Sequence, residues 1–591
     1  MKPQPVTPLA DAVETAVVDA VRRALPDVGG TEPLVRRSDF ADFQSNAALP
    51  LAKRVGRAPR DLAGPVAESL ESADLIADTE VSGPGFVNIT LTETAIWDQV
   101  AARVAQTSLG LNTPLAGQTI VIDYSGPNIA KEMHVGHLRT TIIGDALARL
   151  GEQLGATVIR QNHLGDWGTQ FGMLIQYLLE HPEAEWHDVD GDDPTANIAA
   201  LAVLYRQAQG VFNDDEAFAN RARRRVVDLQ SGDTETLGVW RDLVEVSTAA
   251  FAAIYDRLGV GLTDADNDGE SRYNPELPDV VDDLVEAGIA VESDGALCVF
   301  FEEFKGPDGN PVPMILRKAD GGFGYSATDM ATLRHRIRDL KADQILYVVD
   351  ARQSLHFKQV FAAARRAGWL TDDVDAVHVP FGTVLGPDGR PFKTRSGKTV
   401  RLMDLLDDAV AKAGEVIAEK NPDIDPAELA TLAAATGIGA VKYADLSTSR
   451  VKDYMFDTEQ MVALTGDTGV YLQYAHTRVA AILRKAVEAG HSVDGTVDSS
   501  LPMSTMERQL SLHLDGYDAL LAETMALREP HRLTGYLYAL AKAFTGFYEA
   551  NPVLKAETDG SRTNRLALVR LTQETLRHGL SILGIVAPER M

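Results

Sequence analysis

The chain has 591 residues, 45% of them hydrophobic, which is enough to build several domains with apolar cores. Its one cysteine, Cys298, excludes an intrachain disulfide and a cysteine-based metal site, and no apolar run reaches the length of a membrane span. The formal net charge of −29 argues weakly against a nucleic-acid partner, which would need a local basic surface.

In chain order, the hydrophobic patterns predict three domains. Residues 1–112 open with a helix and then show a Gly-Pro turn, a strand and a helix start in "SGPGFVNITLTETAIW", which indicates an α+β N-terminal domain. Residues 113–430 alternate strand and helix, as in a Rossmann-like, doubly wound parallel sheet, with an acidic helical insertion at about 180–300. In residues 431–591 strands disappear, and helical periodicity predicts an all-α bundle. The expected fold is multidomain α/β.

The segment "SGPNIAKEMHVGH" joins a predicted strand, "QTIVIDY", to a predicted helix that begins near Leu138. A helix N-terminus offers unpaired N–H groups and favours an anion. His134 and His137 can donate to phosphate oxygens, and Gly136 lets a nucleotide approach the backbone. We interpret the segment as a phosphate site; two surface histidines in a loop are the alternative.

Two more segments fit a nucleotide site. Gly165 and Asp166 follow the predicted strand in "ATVIRQNHLG", at the sheet edge where open α/β folds bind ligands. The segment "FKTRSGK" places Lys393, Arg395 and Lys398 on a Gly/Ser-containing loop that could close over a triphosphate. The alternative for this loop is a solvated basic hairpin.

Three common motifs are excluded. "SGKT" is not a P-loop, because Phe392 stands where a glycine is needed five positions before Gly397. "DADNDGESRYNPE" is not a calcium loop, because Pro275 occupies the position of the bidentate glutamate. No G-x-G-x-x-G opens a helix after the first strand of the sheet domain, which excludes a dinucleotide-dependent dehydrogenase.

Taken together, these segments closely resemble the arginyl-tRNA synthetases of class I. "HVGH" resembles the His-Ile-Gly-His signature of that class, within the arginyl-like "SGPNIAKEMHVGHLRTT". "GIGAVKYADLSTSRVKDYMFD" and "YLQYAHTR" resemble the start of the family's anticodon-binding bundle, and "DFQSNAALPLAK…SGPGFVNITL" resembles its additional RNA-contacting domain. The resemblance covers nearly the whole chain, but "FKTRSGK" replaces the class pattern Lys-Met-Ser-Lys-Ser.

The resemblance implies residue roles, and Lys131 is expected to compensate for the missing lysine of the basic loop. The catalytic set would be Lys131, His134, Gly136, His137, Lys393 and Arg395. ATP would contact His134, His137, Gly165, Asp166, His356, Phe381 and Gly382. Arginine would contact Asp123, Gly126, Pro127, Asn128, His137, Tyr325, Asp329 and Gln353. The tRNA would contact Tyr471, Tyr474 and Arg478, although core packing is a strong alternative for these tyrosines.

The choice of arginine also has a chemical argument. A guanidinium is a planar, always charged fork of donors, best met by carboxylates in a fixed plane. Tyr325 and Asp329 are four residues apart, so they share a face if their segment is helical. An ordinary helix start is the alternative for this pair.

The expected reaction is ATP-dependent activation of L-arginine and its transfer to tRNA(Arg). ATP enters as a substrate accompanied by Mg²⁺, and no protein-held metal is expected. The N-terminal residues carry no apolar signal core, so we expect a cytoplasmic protein without membrane contact, and we expect a monomer. The rival hypotheses are a synthetase for another amino acid and a catalytically silent, synthetase-like RNA-binding protein.

Overall fold

The computed structural model describes residues 5–71, 73–187, 189, 193–305, 309, 311–386, 388–391 and 400–591. Its N-terminal part is a four-stranded antiparallel sheet in the order β1-β2-β4-β3, covered by helices. At the end of this part the Thr92 side chain accepts a hydrogen bond from the Ala95 N–H, which caps the following helix. The elements are α1 (Leu9–Ala24), β1 (Val35–Arg37), β2 (Phe43–Ser45), α2 (Ala48–Val55), α3 (Pro59–Leu70), β3 (Ile76–Ser82), β4 (Phe86–Leu91) and α4 (Glu93–Val104).

The first half of the parallel sheet and a helical insertion follow. The "QTIVIDY" segment forms a buried strand and "HVGH" lies at the start of the next helix, so both predictions are confirmed. The elements are β5 (Thr119–Asp123), α5 (Gly136–Gln153), β6 (Thr157–Gln161), α6 (Thr169–Glu180), α7 (Pro194–Asp214), α8 (Glu216–Ser231) and α9 (Thr234–Leu258), then two 3-10 segments (Asp264–Asp266 and Glu270–Glu276).

The chain then returns to the sheet through a small antiparallel unit. These elements are α10 (Leu277–Glu286), β7 (Ala290–Ser293), β8 (Ala296–Val299), β9 (Met314–Arg317), α11 (Tyr325–Arg338), β10 (Gln344–Tyr347), a 3-10 segment (Ala351–Gln353), α12 (Ser354–Arg366), β11 (Asp375–His378) and β12 (Val384–Leu385). The parallel sheet has the order β11-β10-β5-β6. In register, its strands end at His378, Tyr347, Asp123 and Gln161, so their carboxyl ends form one edge.

The C-terminal part is helical, as predicted, with one exception. Its elements are α13 (Leu402–Lys420), α14 (Pro426–Ser447), β13 (Tyr454–Met455), α15 (Thr458–Met461), α16 (Gly469–Glu488), α17 (Thr505–Asp515), α18 (Tyr517–Leu527), α19 (His531–Ala550) and α20 (Asp559–Ile582). The expectation that strands disappear after about residue 430 is wrong at β13, which pairs in parallel with β12. Two residues are too few to produce a recognisable period in the sequence.

The predicted multidomain α/β architecture is confirmed, while the boundaries at residues 112 and 430 stay predictions. The central strands supply fully buried apolar side chains to both faces of the sheet, such as Ile122 and Val121. Across the described ranges, no helix combines the length and apolar character needed to cross a bilayer.

Candidate active site

A cavity of about 610 Å³ opens at the carboxyl edge of β5 and β10. Ligand sites of open parallel sheets lie at such an edge, because the loops that follow neighbouring strands diverge there. The lining includes many of the side chains that the sequence singled out: Asp123, Gly126, Asn128, His134, Gly136, His137, Gly165, Tyr325, Asp329, Gln353, His356 and Phe381. The tertiary structure thus gathers residues from five separate segments of the chain.

The two signature histidines are fixed by backbone donors at the start of α5. The His134 N–H donates to Nδ1 of His137 (3.1 Å), and the Gly136 N–H donates to Nδ1 of His134 (3.0 Å). Burial lowers the pKa of both side chains, and their mutual proximity lowers that of His137 further. Both imidazoles are therefore neutral at pH 7. Because each Nδ1 is an acceptor, each Nε2 carries the proton and can donate it in a hydrogen bond.

The turn between β5 and α5 depends on two glycines: Gly126 adopts a left-handed backbone conformation, and Gly165 packs closely against Asn128. Gly126 has φ of 53°, and its N–H donates to Oδ1 of Asn162. Gly165 exchanges backbone hydrogen bonds with this turn, and a Cβ at position 165 would lie 2.3 Å from Oδ1 of Asn128. Pro127, by contrast, is buried, and its carbonyl accepts the hydrogen bond from the Gly165 N–H. The glycine therefore lets Asn128 stand at the cavity wall.

Tyr325 and Asp329 occupy the first turns of α11 and both line the cavity. The predicted helical spacing is confirmed. A carboxylate oxygen of Asp329 lies 2.5 Å from Nε2 of His356. Burial alone would lower the pKa of His356, but the hydrogen bond and charge of Asp329 outweigh it and raise that pKa. Asp329 is thus paired, beside the cavity, with an imidazole that is positively charged when it is protonated.

Asp123 reaches the cavity but is already paired with an arginine of the protein. The Arg336 guanidinium is completely buried, lies 2.9 Å from Oδ2 of Asp123 and stacks over the Tyr347 ring at 4.8 Å. Of this pair, only Asp123 lines the cavity, and its charge is already met by Arg336. Sequence inspection did not single out Arg336, because an arginine in a helix is normally a surface residue.

Glu270 is the main cavity residue that sequence inspection missed. It opens the 3-10 segment at the end of the insertion and faces the same space as Tyr325. Burial raises the pKa of Glu270 to about 7, against the lowering influence of His163. His163 lines the same cavity and is paired with Asp268, whose pKa is lowered to about 2 because hydrogen bonds and Arg336 outweigh burial. A carboxyl with a perturbed pKa in a cleft is a recognised functional signal.

Of the other predicted residues, Gln353 and Phe381 line the cavity, whereas Asp166 and Gly382 do not. Gln353 ends the 3-10 segment beside it, and the buried Phe381 forms part of its wall. Asp166 does not line it, because both carboxylate oxygens accept hydrogen bonds from Ser271. Gly382 also lies outside the lining, with its N–H donating to the Arg450 carbonyl.

Lys131 precedes α5, and its ammonium lies 5.0 Å from the centre of the Tyr205 ring. Lys393, Arg395 and Lys398 lie outside the described residues. The described chain resumes at Val400, whose carbonyl accepts a hydrogen bond from the Val135 N–H. The first described residue after the basic segment is thus in contact with the "HVGH" segment.

The bundle residues expected to contact RNA all lie on α16. Tyr474 is 47% exposed, whereas Tyr471 packs against the Tyr538 ring at 5.4 Å. The Arg478 guanidinium lies over the Tyr548 ring. Within the described part of the chain, no group of three or more His, Cys, Asp or Glu side chains could hold a metal ion.

Comparison with known proteins matches three family profiles to consecutive parts of the chain. They are "Arginyl tRNA synthetase N terminal domain" over residues 10–91, "tRNA synthetases class I (R), catalytic domain" over 99–458 and "DALR anticodon binding domain" over 472–591. A curated protein of Frankia casuarinae, named arginine–tRNA ligase, is 59% identical, with 100% of each chain covered. One of Streptomyces avermitilis with the same name is 51% identical, covering 99% of this chain and 100% of its own.

Solved structures show the same similarity. The arginyl-tRNA synthetase of Plasmodium falciparum superimposes with a TM-score of 0.82 at 26% identity, over 99% of this chain and 100% of that one. The arginyl-tRNA synthetase of Thermus thermophilus gives a TM-score of 0.80 at 25% identity, over the same shares of the two chains.

Proposed function

The chain belongs to the arginyl-tRNA synthetase family, and we propose that the cavity at the carboxyl edge of β5 and β10 is where it activates arginine. It is an enzyme, an arginine–tRNA ligase that charges tRNA(Arg) with arginine at the expense of ATP. One observation supports this site above all: a single cavity holds two groups of side chains. His134 and His137 can donate to phosphate oxygens, and Tyr325, Asp329 and Glu270 suit a guanidinium.

Arginine binds with its guanidinium toward Asp329, Tyr325 and Glu270. Asp329 and an ionised Glu270 offer negative charge on the wall of the cavity, and a guanidinium is best met by carboxylates in a fixed plane. Asn128 and Gln353 face the ammonium and carboxylate end of the substrate. Asp123 stays paired with Arg336 and shapes the floor.

ATP lies with its phosphates at the start of α5, near His134 and His137, and its adenosine half toward Phe381. An oxygen of the arginine carboxylate attacks the α-phosphorus; the bond to the β-phosphate oxygen breaks, and pyrophosphate leaves with the electron pair. The Nε2–H groups of both histidines donate to phosphate oxygens, and Lys131 and Lys393 add positive charge to the departing group. The terminal ribose hydroxyl of tRNA(Arg) then attacks the arginyl carbonyl carbon and loses its proton to the departing phosphate; the bond from that carbon to the phosphate oxygen breaks, and AMP leaves with the electron pair.

Mg²⁺ accompanies ATP and offsets charge on the phosphate oxygens. Two carboxylates on the cavity wall already have partners: Asp329 is paired with His356, and Asp350 with Arg352. They are therefore poorly suited to hold a metal ion by themselves. Phosphate oxygens and water would therefore supply most of the ligands of a Mg²⁺ ion that arrives with ATP, as is usual for this ion.

We place the enzyme in the cytoplasm as a monomer; its single cysteine suits a reducing compartment.

ATP–pyrophosphate exchange tests the proposed site, with arginine, lysine and glutamine each measured with and without tRNA. Exchange that depends on arginine, and that Asp329→Asn abolishes at low arginine concentration, is the expected result. Exchange with another amino acid would overturn the roles of Tyr325 and Asp329. No exchange under any condition would favour the silent RNA-binding alternative.

A further inference from the structure

Arg450 forms hydrogen bonds with the backbone on both sides of Phe381, although it does not line the cavity itself. Its Nη1 donates to the carbonyl of Pro380 (2.8 Å), and its own carbonyl accepts the Gly382 N–H (2.8 Å). The backbone of residues 380–382 is thus held from two directions by one residue. Phe381 is 4% exposed, and its carbonyl accepts the N–H of Ala351 at the other side of the cavity wall.

The same guanidinium also reaches the helical bundle. Nε of Arg450 donates to the carbonyl of Arg528 (2.9 Å), the residue that ends α18 with a left-handed φ of 56°. The Arg528 side chain in turn pairs with Asp375, the first residue of β11. A planar, rigid fork of donors suits such a bridge, because two carbonyl oxygens are met at fixed angles with little further loss of side-chain freedom.

A second contact fixes the next residue along the wall. Oδ1 of Asp453 accepts the Thr383 N–H at 2.6 Å. Nη1 of Arg139, on the helix that carries the signature histidines, donates to the carbonyl of Lys452 at 2.8 Å. The segment from Arg450 to Asp453 therefore connects residues 380–383 with α5 and with the bundle.

We propose that Arg450 is a positioning residue for ATP: it holds the Phe381–Gly382 backbone in register with α5 by anchoring it to the bundle. The inference rests on the proposed function, in which the adenosine half of ATP lies toward Phe381. Misplacement of a positioning group by about 1 Å can cost up to about 10²-fold in activity. Arginine contacts other walls of the cavity, so the loss is specific to ATP.

The test compares Arg450→Met and Arg450→Lys with Arg366→Met in steady-state pyrophosphate exchange at saturating tRNA. Arg366 is a matched control, since its Nη1 also anchors a backbone carbonyl, that of Phe300 at 2.7 Å, at the far end of α12. We expect Arg450→Met to raise KM for ATP at least about tenfold while KM for arginine stays within about twofold. Arg450→Lys, which can reach one carbonyl, should lie between wild type and Arg450→Met.

Asp453 provides an independent pair if Arg450→Met does not fold. Asp453→Asn keeps an oxygen acceptor and should behave as wild type, whereas Asp453→Ala should raise KM for ATP. An unchanged KM for ATP in folded Arg450→Met, or equal changes for ATP and arginine, would overturn the positioning role. Failure of the wild-type protein to exchange pyrophosphate with arginine would instead overturn the proposed function, so the two failures are distinguishable.

Discussion

The carboxylate of Asp329 lies 2.5 Å from Nε2 of His356, within the cavity that Tyr325 and Glu270 also line. The carboxylate proposed to hold the guanidinium is therefore shared with an imidazole through one of its two oxygens. Only Oδ2 makes this contact, and a carboxylate can accept further hydrogen bonds, so the guanidinium can be held beside the imidazole.

Asp329→Asn should raise KM for arginine by about 10–100-fold, because a hydrogen bond to a charged group typically contributes about 1.5–3 kcal/mol. KM for ATP should stay within about twofold, since ATP contacts other walls. Initial-rate exchange with each substrate varied in turn checks the split. Equal changes in both KM values would contradict the assignment of Asp329 to arginine.

The pH dependence of arginine binding should follow Glu270. Because burial raises its pKa to about 7, Glu270 is neutral at pH 6 and ionised at pH 8, while the substrate guanidinium stays charged throughout. KM for arginine should therefore fall as the pH rises across this range, by roughly tenfold. Asp329 raises the pKa of His356, and loss of that imidazole proton removes a positive charge beside the guanidinium, which acts in the same direction.

Glu270→Gln separates these two contributions, since it keeps Asp329, His356 and His163. KM for arginine in this variant should be high at pH 8 and change much less between pH 6 and pH 8. The same strong pH dependence in wild type and Glu270→Gln would show that Glu270 does not face the guanidinium.

His137→Ala should lower the rate of exchange by about 10²–10³-fold with little change in thermal stability, as loss of one preorganised donor usually does. In the proposed site its neutral Nε2–H donates a hydrogen bond to a phosphate oxygen of ATP, and the alanine side chain has no donor. His181→Ala, at a histidine whose side chain is 42% exposed, is the matched control and should leave exchange unchanged. A His137→Ala enzyme with normal exchange would exclude the histidine from the phosphate site.

Gly165→Ala should disturb Asn128, because the new Cβ would lie 2.3 Å from Oδ1 of that side chain. We expect a stability loss of about 1–3 kcal/mol and a rise in KM for arginine. Gly210→Ala is the control: its Cβ would meet open space on α7, so it should stabilise by up to about 1 kcal/mol. Denaturant unfolding and exchange kinetics of both variants distinguish a local clash from a general effect of adding a methyl group.

Tyr474→Ala should raise KM for tRNA by about tenfold in aminoacylation while the melting temperature is unchanged, because base stacking on an exposed ring contributes about 1–3 kcal/mol. Tyr471→Ala should instead lower the melting temperature, since its ring packs against Tyr538. A stability loss without a change in KM for tRNA in Tyr474→Ala would assign this ring to packing.

The sequence by itself determined the local features of this protein. Buried strands such as β5, the helix that starts at "HVGH", and the shared face of Tyr325 and Asp329 are encoded in short-range periodicity, which a single segment contains in full. The resemblance to arginyl-tRNA synthetases was also readable, because its motifs are contiguous.

Only the tertiary structure decided which distant groups meet. Glu270 enters the cavity from the end of the insertion, and Asp166 turns away to Ser271, although it follows a predicted site glycine. Arg336 is buried because Asp123 accompanies it. These outcomes depend on the path of the chain between remote segments and on which partner satisfies each buried polar group, and neither is written in the periodicity of one segment.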